Sequence, residues 1–214
     1  MSVLPRRSLF LVGASLLAGS SAHAVTGSGK PATEAREASG FSAISLRGDI
    51  NVIVRQGTRE AVQVSADDNL LPLLQTVVEG SGDNRTLRIQ WKSGEWVHTR
   101  SKTVVTVDVV KLNAVASSGS GDIVVEALKT PALALSISGS SDAKLSQLDT
   151  AQLSVSIAGS GDVRASGKAA KFNISITGSG DVRARELAAD EVSVSIAGSG
   201  DASVMANKIG RAHV

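Results

Sequence analysis

Ile157-Ala158-Gly159-Ser160-Gly161-Asp162-Val163-Arg164-Ala165 recurs through the second half of this chain. Gly-Ser-Gly-Asp starts at Gly119, Gly159, Gly178 and Gly198, and a Gly-Ser-Ser-Asp variant starts at Gly139. The starts lie 20, 20, 19 and 20 residues apart. A fixed period of this size marks a repeat architecture, in which each unit buries its apolar face by stacking on the next.

The flanking residues name the element type. Before successive turns stand Leu133, Leu135, Ile137; Leu153, Val155, Ile157; Phe172, Ile174, Ile176; and Val192, Val194, Ile196. Ser, Ala or Asn fills the positions between them, the alternation of a strand with one face on a core. After the turns come shorter strands, Ile123-Val124-Val125, Ala143-Lys144-Leu145, Val163-Arg164-Ala165 and Val182-Arg183-Ala184, whose middle residue is basic in three of the four. Two architectures fit: a parallel β-helix with one repeat per coil, or an antiparallel meander with Gly-Ser-Gly-Asp as a hairpin turn. Even spacing with like residues at like positions favours in-register stacking. The expectation is therefore an all-β parallel β-helix, a right-handed solenoid with coils of about 20 residues and an N-terminal β cap.

Upstream, Phe41 to Val64 alternates like strands, and Gly48-Asp49 and Gln56-Gly57-Thr58 mark turns. Asp68-Asn69-Leu70-Leu71-Pro72 breaks the alternation, and its two N-cap residues predict a short helical turn. Gly80-Ser81-Gly82-Asp83 reads as a hairpin turn, because nothing repeat-like lies between it and Gly119. The domain is expected over residues 41–207, with repeats from about Val115, after a flexible polar linker over 25–40.

Arg6 and Arg7 precede the apolar run Leu9–Ala18, and Ala22-His23-Ala24 supplies a small-residue cleavage site. Residues 1–24 are thus expected to be a signal peptide, with Arg6-Arg7-Ser8-Leu9-Phe10 open to either the general or the twin-arginine route. The run is too short to span a bilayer, and no integral membrane segment is expected in the mature chain. The protein is expected to be exported, to the periplasm or the cell surface. At the other end, Lys208 to Val214 departs from the repeat, matches the translation of a sequencing adapter, and reads as a non-native tail.

The 214 residues carry 22 basic and 20 acidic side chains, a formal charge of +2. Without Arg6, Arg7, Lys208 and Arg211 the balance is 18 to 20, or −2. The sequence pI near 9.1 therefore gives no reason to expect a nucleic-acid partner. There is no Cys, so disulfides and thiolate sites are excluded. Aromatics make up 2% of the chain, so the core must be built from Val, Ile, Leu and Ala.

Candidate sites are few. Gly119, Asp122, Gly139, Asp142, Gly159, Asp162, Gly178, Asp181, Gly198 and Asp201 read as a structural turn ladder, with Gly supplying the sharp corner and Asp accepting backbone N–H bonds. Stacked carboxylates also suit Ca²⁺ in principle. The nine-residue calcium repeat is absent, however, and Lys144, Arg164 and Arg183, two residues after their Asp, are candidates to neutralise the column, so no metal or cofactor is expected. A polysaccharide-active β-helix enzyme would need Asp, Arg and Lys to converge in one groove, outside the regular ladder. No catalytic residue is assigned. The least repetitive stretch runs from Trp91 to Arg100. There Trp91, Trp96, His98 and Arg100 are the candidate ligand-binding residues, suited to stacking on a sugar ring or gripping a protein partner; the plainer reading is that both Trp cover the side of the core.

With these residues laid out, the chain resembles the GIN-domain family of autotransporter adhesin heads. The resemblance rests on Phe41-Ser42-Ala43-Ile44, on Gly48-Asp49-Ile50-Asn51-Val52, on Asp68-Asn69-Leu70-Leu71 and on the serial turns, over about Phe41 to Asn207. It implies an exported or surface-exposed bacterial β-helical domain with no established reaction. The expected function is a non-catalytic, adhesin-like binding or cell-envelope module, its partner a glycan or a cell-surface protein. The alternative is a polysaccharide-active β-helix lyase or glycoside hydrolase.

Overall fold

The computed structural model describes residues 24–82 and 85–213, with side chains to Asn207. The expected signal peptide lies outside the described residues except for Ala24, as do Asp83 and Asn84 of the early turn.

The N-terminal half contains β1 (Ala24–Thr26), β2 (Pro31–Arg36), β3 (Ala43–Gly48), β4 (Asn51–Gln56) and β5 (Ala61–Asp67). A 3-10 turn (Leu71–Leu73) stands where the helical turn is predicted. Next come β6 (Leu74–Glu79), β7 (Thr86–Trp91), β8 (Trp96–His98) and β9 (Val104–Val109). The repeats then form β10 (Ala114–Gly119), β11 (Ile123–Val125), β12 (Leu128–Gly139), β13 (Ala143–Gly159), β14 (Val163–Gly178), β15 (Val182–Gly198) and β16 (Ala202–His213).

The all-β expectation holds, but the parallel β-helix solenoid is overturned. Fourteen strands form one mixed sheet that nearly closes on itself like a barrel. Three of its pairings are antiparallel, β2–β5, β5–β9 and β6–β7. The strand path β2-β5-β9-β4-β11-β13-β12-β10-β3-β7-β6 descends one wall, turns at β13 and returns up the other. Strand length is the reason. The short strands read from the sequence merge with the longer ones that follow, so β13 runs unbroken for 17 residues and belongs to both walls. Within β13–β16 the strands are interrupted only at the Gly-Ser-Gly-Asp corners.

Repeat still lies beside repeat, parallel and in register: Leu133, Leu153, Phe172 and Val192 form one column, and Ile137, Ile157, Ile176 and Ile196 another. These columns make the core, in which Phe41 and Phe172 are the only buried aromatics among the described residues. Each fully buried Val, Leu or Ile contributes roughly 1.5–3 kcal/mol. Against β16 the register slips, from Val182↔Ala202 to Ala188↔Met205 and then Ser193↔Arg211. Residues 208–213, read as a tail, pair as backbone with β15.

The first repeat begins earlier than the sequence indicates. Gly48 pairs with Gly119 and Val52 with Ile123, so Gly48-Asp49-Ile50-Asn51 is a corner of the same column. The early Gly80 turn joins the antiparallel pair β6–β7 instead, as expected of a hairpin. Residues 25–40, expected as a linker, carry β1 and β2. Pro31–Arg36 pairs with Val62–Asp67, and the Arg36 guanidinium donates to the Leu71 carbonyl at 2.7 Å. Tertiary pairing orders a stretch whose own composition is polar. No helix among the described residues is long and apolar enough to cross a membrane.

The Gly-Ser-Ser-Asp variant has a packing cause. A Cβ on Gly161, Gly180 or Gly200 would meet the preceding corner's carbonyl oxygen at 2.0, 2.3 and 2.2 Å and the Cγ2 of Ile137, Ile157 and Ile176 at 3.1, 3.0 and 3.0 Å. Below Ser141 the corresponding residue is Ser117, which pairs with Ile137 in that same column. The two hydroxyls share a buried hydrogen bond of 2.7 Å. Ser117→Ile alone should therefore crowd Ser141 and cost about 1–3 kcal/mol, and Ser141→Gly alone should strand the Ser117 hydroxyl at about 1–3 kcal/mol. The double variant recreates the regular repeat, and urea denaturation should return it to within about 1 kcal/mol of the parent, because neighbouring substitutions are not additive.

Candidate functional site

Three consecutive polar residues at the end of β5 clamp the N-terminal segment to the Trp96 strand. Asp67 is fully buried. Its carboxylate accepts the Gly29 amide at 2.9 Å, the Arg100 amide at 2.9 Å, the Ser101 amide at 3.2 Å and the Ser101 hydroxyl at 2.7 Å. Asn69 accepts the Ser28 amide at 2.8 Å and donates to the Thr26 carbonyl at 2.9 Å, while Asp68 accepts from the Ser28 hydroxyl. The residues read as helix caps thus serve a different purpose, and the 3-10 turn has no side-chain cap. Burial pushes the Asp67 carboxyl up, but the Ser101 hydroxyl and the three backbone amides outweigh it and hold the group below the ordinary aspartate range.

The clamp fixes the one pair of strands among the described residues that stands outside the main sheet. β1 and β8 pair in parallel, Ala24↔Trp96 through Thr26↔His98, and the Gly27 amide donates to the His98 carbonyl at 2.8 Å. Trp96 and His98 are exposed on the same face of β8, two residues apart, with Val97 turned away and half-buried. Trp96 is 72% exposed. Arg100 is exposed, its side chain alongside Gly29. The structure therefore brings together Trp96 and His98 and sets Arg100 at the clamp.

Trp91 goes elsewhere. It ends β7, is half-buried against the core, and lies over the Gly48 corner, where an added Cβ would sit 3.3 Å from its Cδ1. It covers the first corner of the column.

A polar recess of about 320 Å³ adjoins the clamp. Asp49, Asn51 and Asp122 of the first corners line it together with Arg100, Ser101 and Lys102. Asp49 and Lys102 escape sequence reading, because only the tertiary fold brings the 99–103 loop to that corner. Among the described residues no group of three or more His, Asp or Glu is placed to hold a metal ion.

The turn ladder is tied from both sides. The Asp122 amide donates to the Asn51 side chain at 3.0 Å, Asp162 to Asp142 at 2.9 Å, Asp181 to Asp162 at 3.1 Å and Asp201 to Asp181 at 3.0 Å. Each Asp carbonyl accepts from the preceding repeat, as in Ala143 to Asp162 at 2.8 Å. Arg183 bridges Asp162 and Asp181 at 2.7 and 2.8 Å. Desolvation pushes the Asp162 carboxyl up, but the Arg183 hydrogen bond, the Asp181 amide and the charges of Arg183 and Arg164 bring it below its ordinary value.

A mixed sheet built on stacked repeats, with an exposed aromatic strand pinned against it, is the plan of a scaffold domain. The family model described as "Putative auto-transporter adhesin, head GIN domain" matches residues 40–214, and the chain belongs to that family, the one its motifs resemble. A "putative adhesin" from Bacteroides fragilis NCTC 9343 is similar in structure at TM-score 0.77 and 26% identity, over 88% of this chain and 87% of its own. Two proteins of Parabacteroides distasonis ATCC 8503 share the fold. A "putative lipid binding protein" does so at TM-score 0.70 and 20% identity, over 90% of this chain and 96% of its own. A "putative adhesin" does so at 0.67 and 23%, over 90% and 97%. No curated protein matches.

The lowered Asp67 pKa makes the clamp pH-dependent. Its stabilisation is present above the ordinary aspartate value, roughly pH 4, and is lost as pH falls through the lower value of the folded state. Protection factors of the Gly27, Gly29 and Arg100 amides should fall in that acid range. In Asp67→Asn they should already be low at neutral pH and show no acid step.

Proposed function

We propose that this protein is an exported, non-catalytic binding module of the cell envelope, adhesin-like in action, with Trp96, His98 and Arg100 as its ligand-contacting residues. One observation carries the reading: Trp96 is 72% exposed on a strand held by backbone pairing and by a buried carboxylate. An aromatic that is both exposed and pre-positioned gives up little conformational entropy when a sugar ring or a partner surface covers it. The family description and the similar adhesin structure support a surface role. Trp91 contributes by holding the Gly48 corner beneath.

The test is a glycan array probed with the folded protein, with and without Ca²⁺, beside adhesion to intact cells. Trp96→Ala should weaken whatever binding is found by about tenfold or more with an unchanged denaturation midpoint, whereas Trp91→Ala should lower the midpoint. Affinity unchanged in Trp96→Ala would remove the loop from the site. The polysaccharide-active enzyme would be sought in the recess where Asp49 and Asp122 meet Arg100 and Lys102. Cleavage of an array glycan that disappears in Asp49→Asn or Asp122→Asn would establish that reading instead.

A further inference from the structure

We propose that the outer face of β13, β14 and β15 binds a linear acidic polysaccharide along the ladder Lys144, Arg164 and Arg183, with Arg185 beside it.

Lys144 pairs with Arg164, and Arg164 with Arg183, at directly opposed positions on adjacent parallel strands. Such strands lie about 4.8 Å apart, and like charges placed opposite one another destabilise a sheet. The same column is uncharged on either side, at Val124 and Ser203. Solubility does not require these cations, because the other wall carries the outward hydroxyls of Ser136, Ser156, Ser175 and Ser195 in the equivalent arrangement.

The neighbouring aspartates take up the charge of Arg183 but form no ion pair with the other three cations. One oxygen each of Asp142, Asp162 and Asp181 accepts the amide of the next repeat. Arg183 is ion-paired to Asp162 and Asp181. Among the described residues Lys144, Arg164 and Arg185 make no salt bridge and no side-chain hydrogen bond; Arg164 acts on Asp162 only through space. The four cations border a groove of about 460 Å³ that also presents the Ser166 and Ser203 hydroxyls and one carboxylate, Glu186.

The occupant follows from this chemistry. A row of cations one strand apart complements a chain that carries one carboxylate per sugar ring, and the serines can bond its hydroxyls. No aromatic residue lines the groove, so it lacks the stacking platform with which proteins hold single-stranded nucleic acid. The proposal names a partner class for the binding-module reading and rests on it, but it uses residues other than the Trp96 loop.

Calorimetric titration of the whole protein with a polygalacturonate oligomer tests it. Binding should be measurable at low salt and weaken as salt rises. Lys144→Ala/Arg164→Ala should bind at least about tenfold more weakly with an unchanged circular dichroism spectrum and a denaturation midpoint no lower than the parent's, because opposed like charges are removed, and Lys111→Ala, an exposed cation outside the groove, should stay within about twofold of the parent. Arg183 is left intact because it ties two corners together. No binding at low salt, equal affinity of the double variant, equal affinity for neutral galactan, or tighter binding of single-stranded DNA would each overturn the proposal. Retained polygalacturonate binding beside a null result for Trp96→Ala on the array would remove the loop alone and leave the ladder standing.

Discussion

At each corner a carbonyl of one repeat occupies the space in which the next would need a Cβ. The gap would be 2.1 Å for Gly159 against Gly139, 2.3 Å for Gly178 against Gly159 and 2.1 Å for Gly198 against Gly178. These glycines also hold φ between +132° and +148°, where other residues are strained. Backbone against backbone allows little slack, so the corner sets the register of everything that leaves it. Once register is set, like residues fall on like: isoleucines stack inward, serines outward, aspartates tie amide to carboxylate, and cations line up on one face.

The third residue of the corner obeys a different constraint. Gly161, Gly180 and Gly200 do not hold a positive φ; they are glycine because a carbonyl and an isoleucine methyl lie beside them. Ser141 shows the rule by its exception, since Ser117 below it is small and polar. The regular half of the protein is therefore defined by contacts between repeats, and the irregular half by contacts that cross the chain. Asp67 reaches residues 38 and 34 positions away and converts two polar segments into an ordered support for Trp96.

Much of this is legible from the chain. The period, the inward and outward columns, the all-β class and the family follow from residues at fixed spacing. The single mixed sheet does not, because a strand that ends at a turn and a strand that bends and continues have the same alternation. The Asn51 corner is hidden by the separation of 71 positions between Asn51 and Asp122, over which the repeat is interrupted. Of the candidate site, Trp96, His98 and Arg100 stand out by composition. Trp91 is near them in sequence, yet its place at the end of β7 turns it to the Gly48 corner. Asp67 gave a weak signal: Asp-Asp-Asn is more polar capacity than one short turn uses.

By itself the sequence determined what stacks on what, since side-chain alternation and glycine spacing are local properties written once per repeat. Only the tertiary structure decided how the walls join and what is held exposed. Those outcomes depend on which distant backbone groups find each other: β2 beside β5, β1 beside β8, and a carboxylate at Asp67 for the amides of Gly29, Arg100 and Ser101. A buried polar group must be satisfied wherever its partner lies in the chain, and no local pattern records that distance.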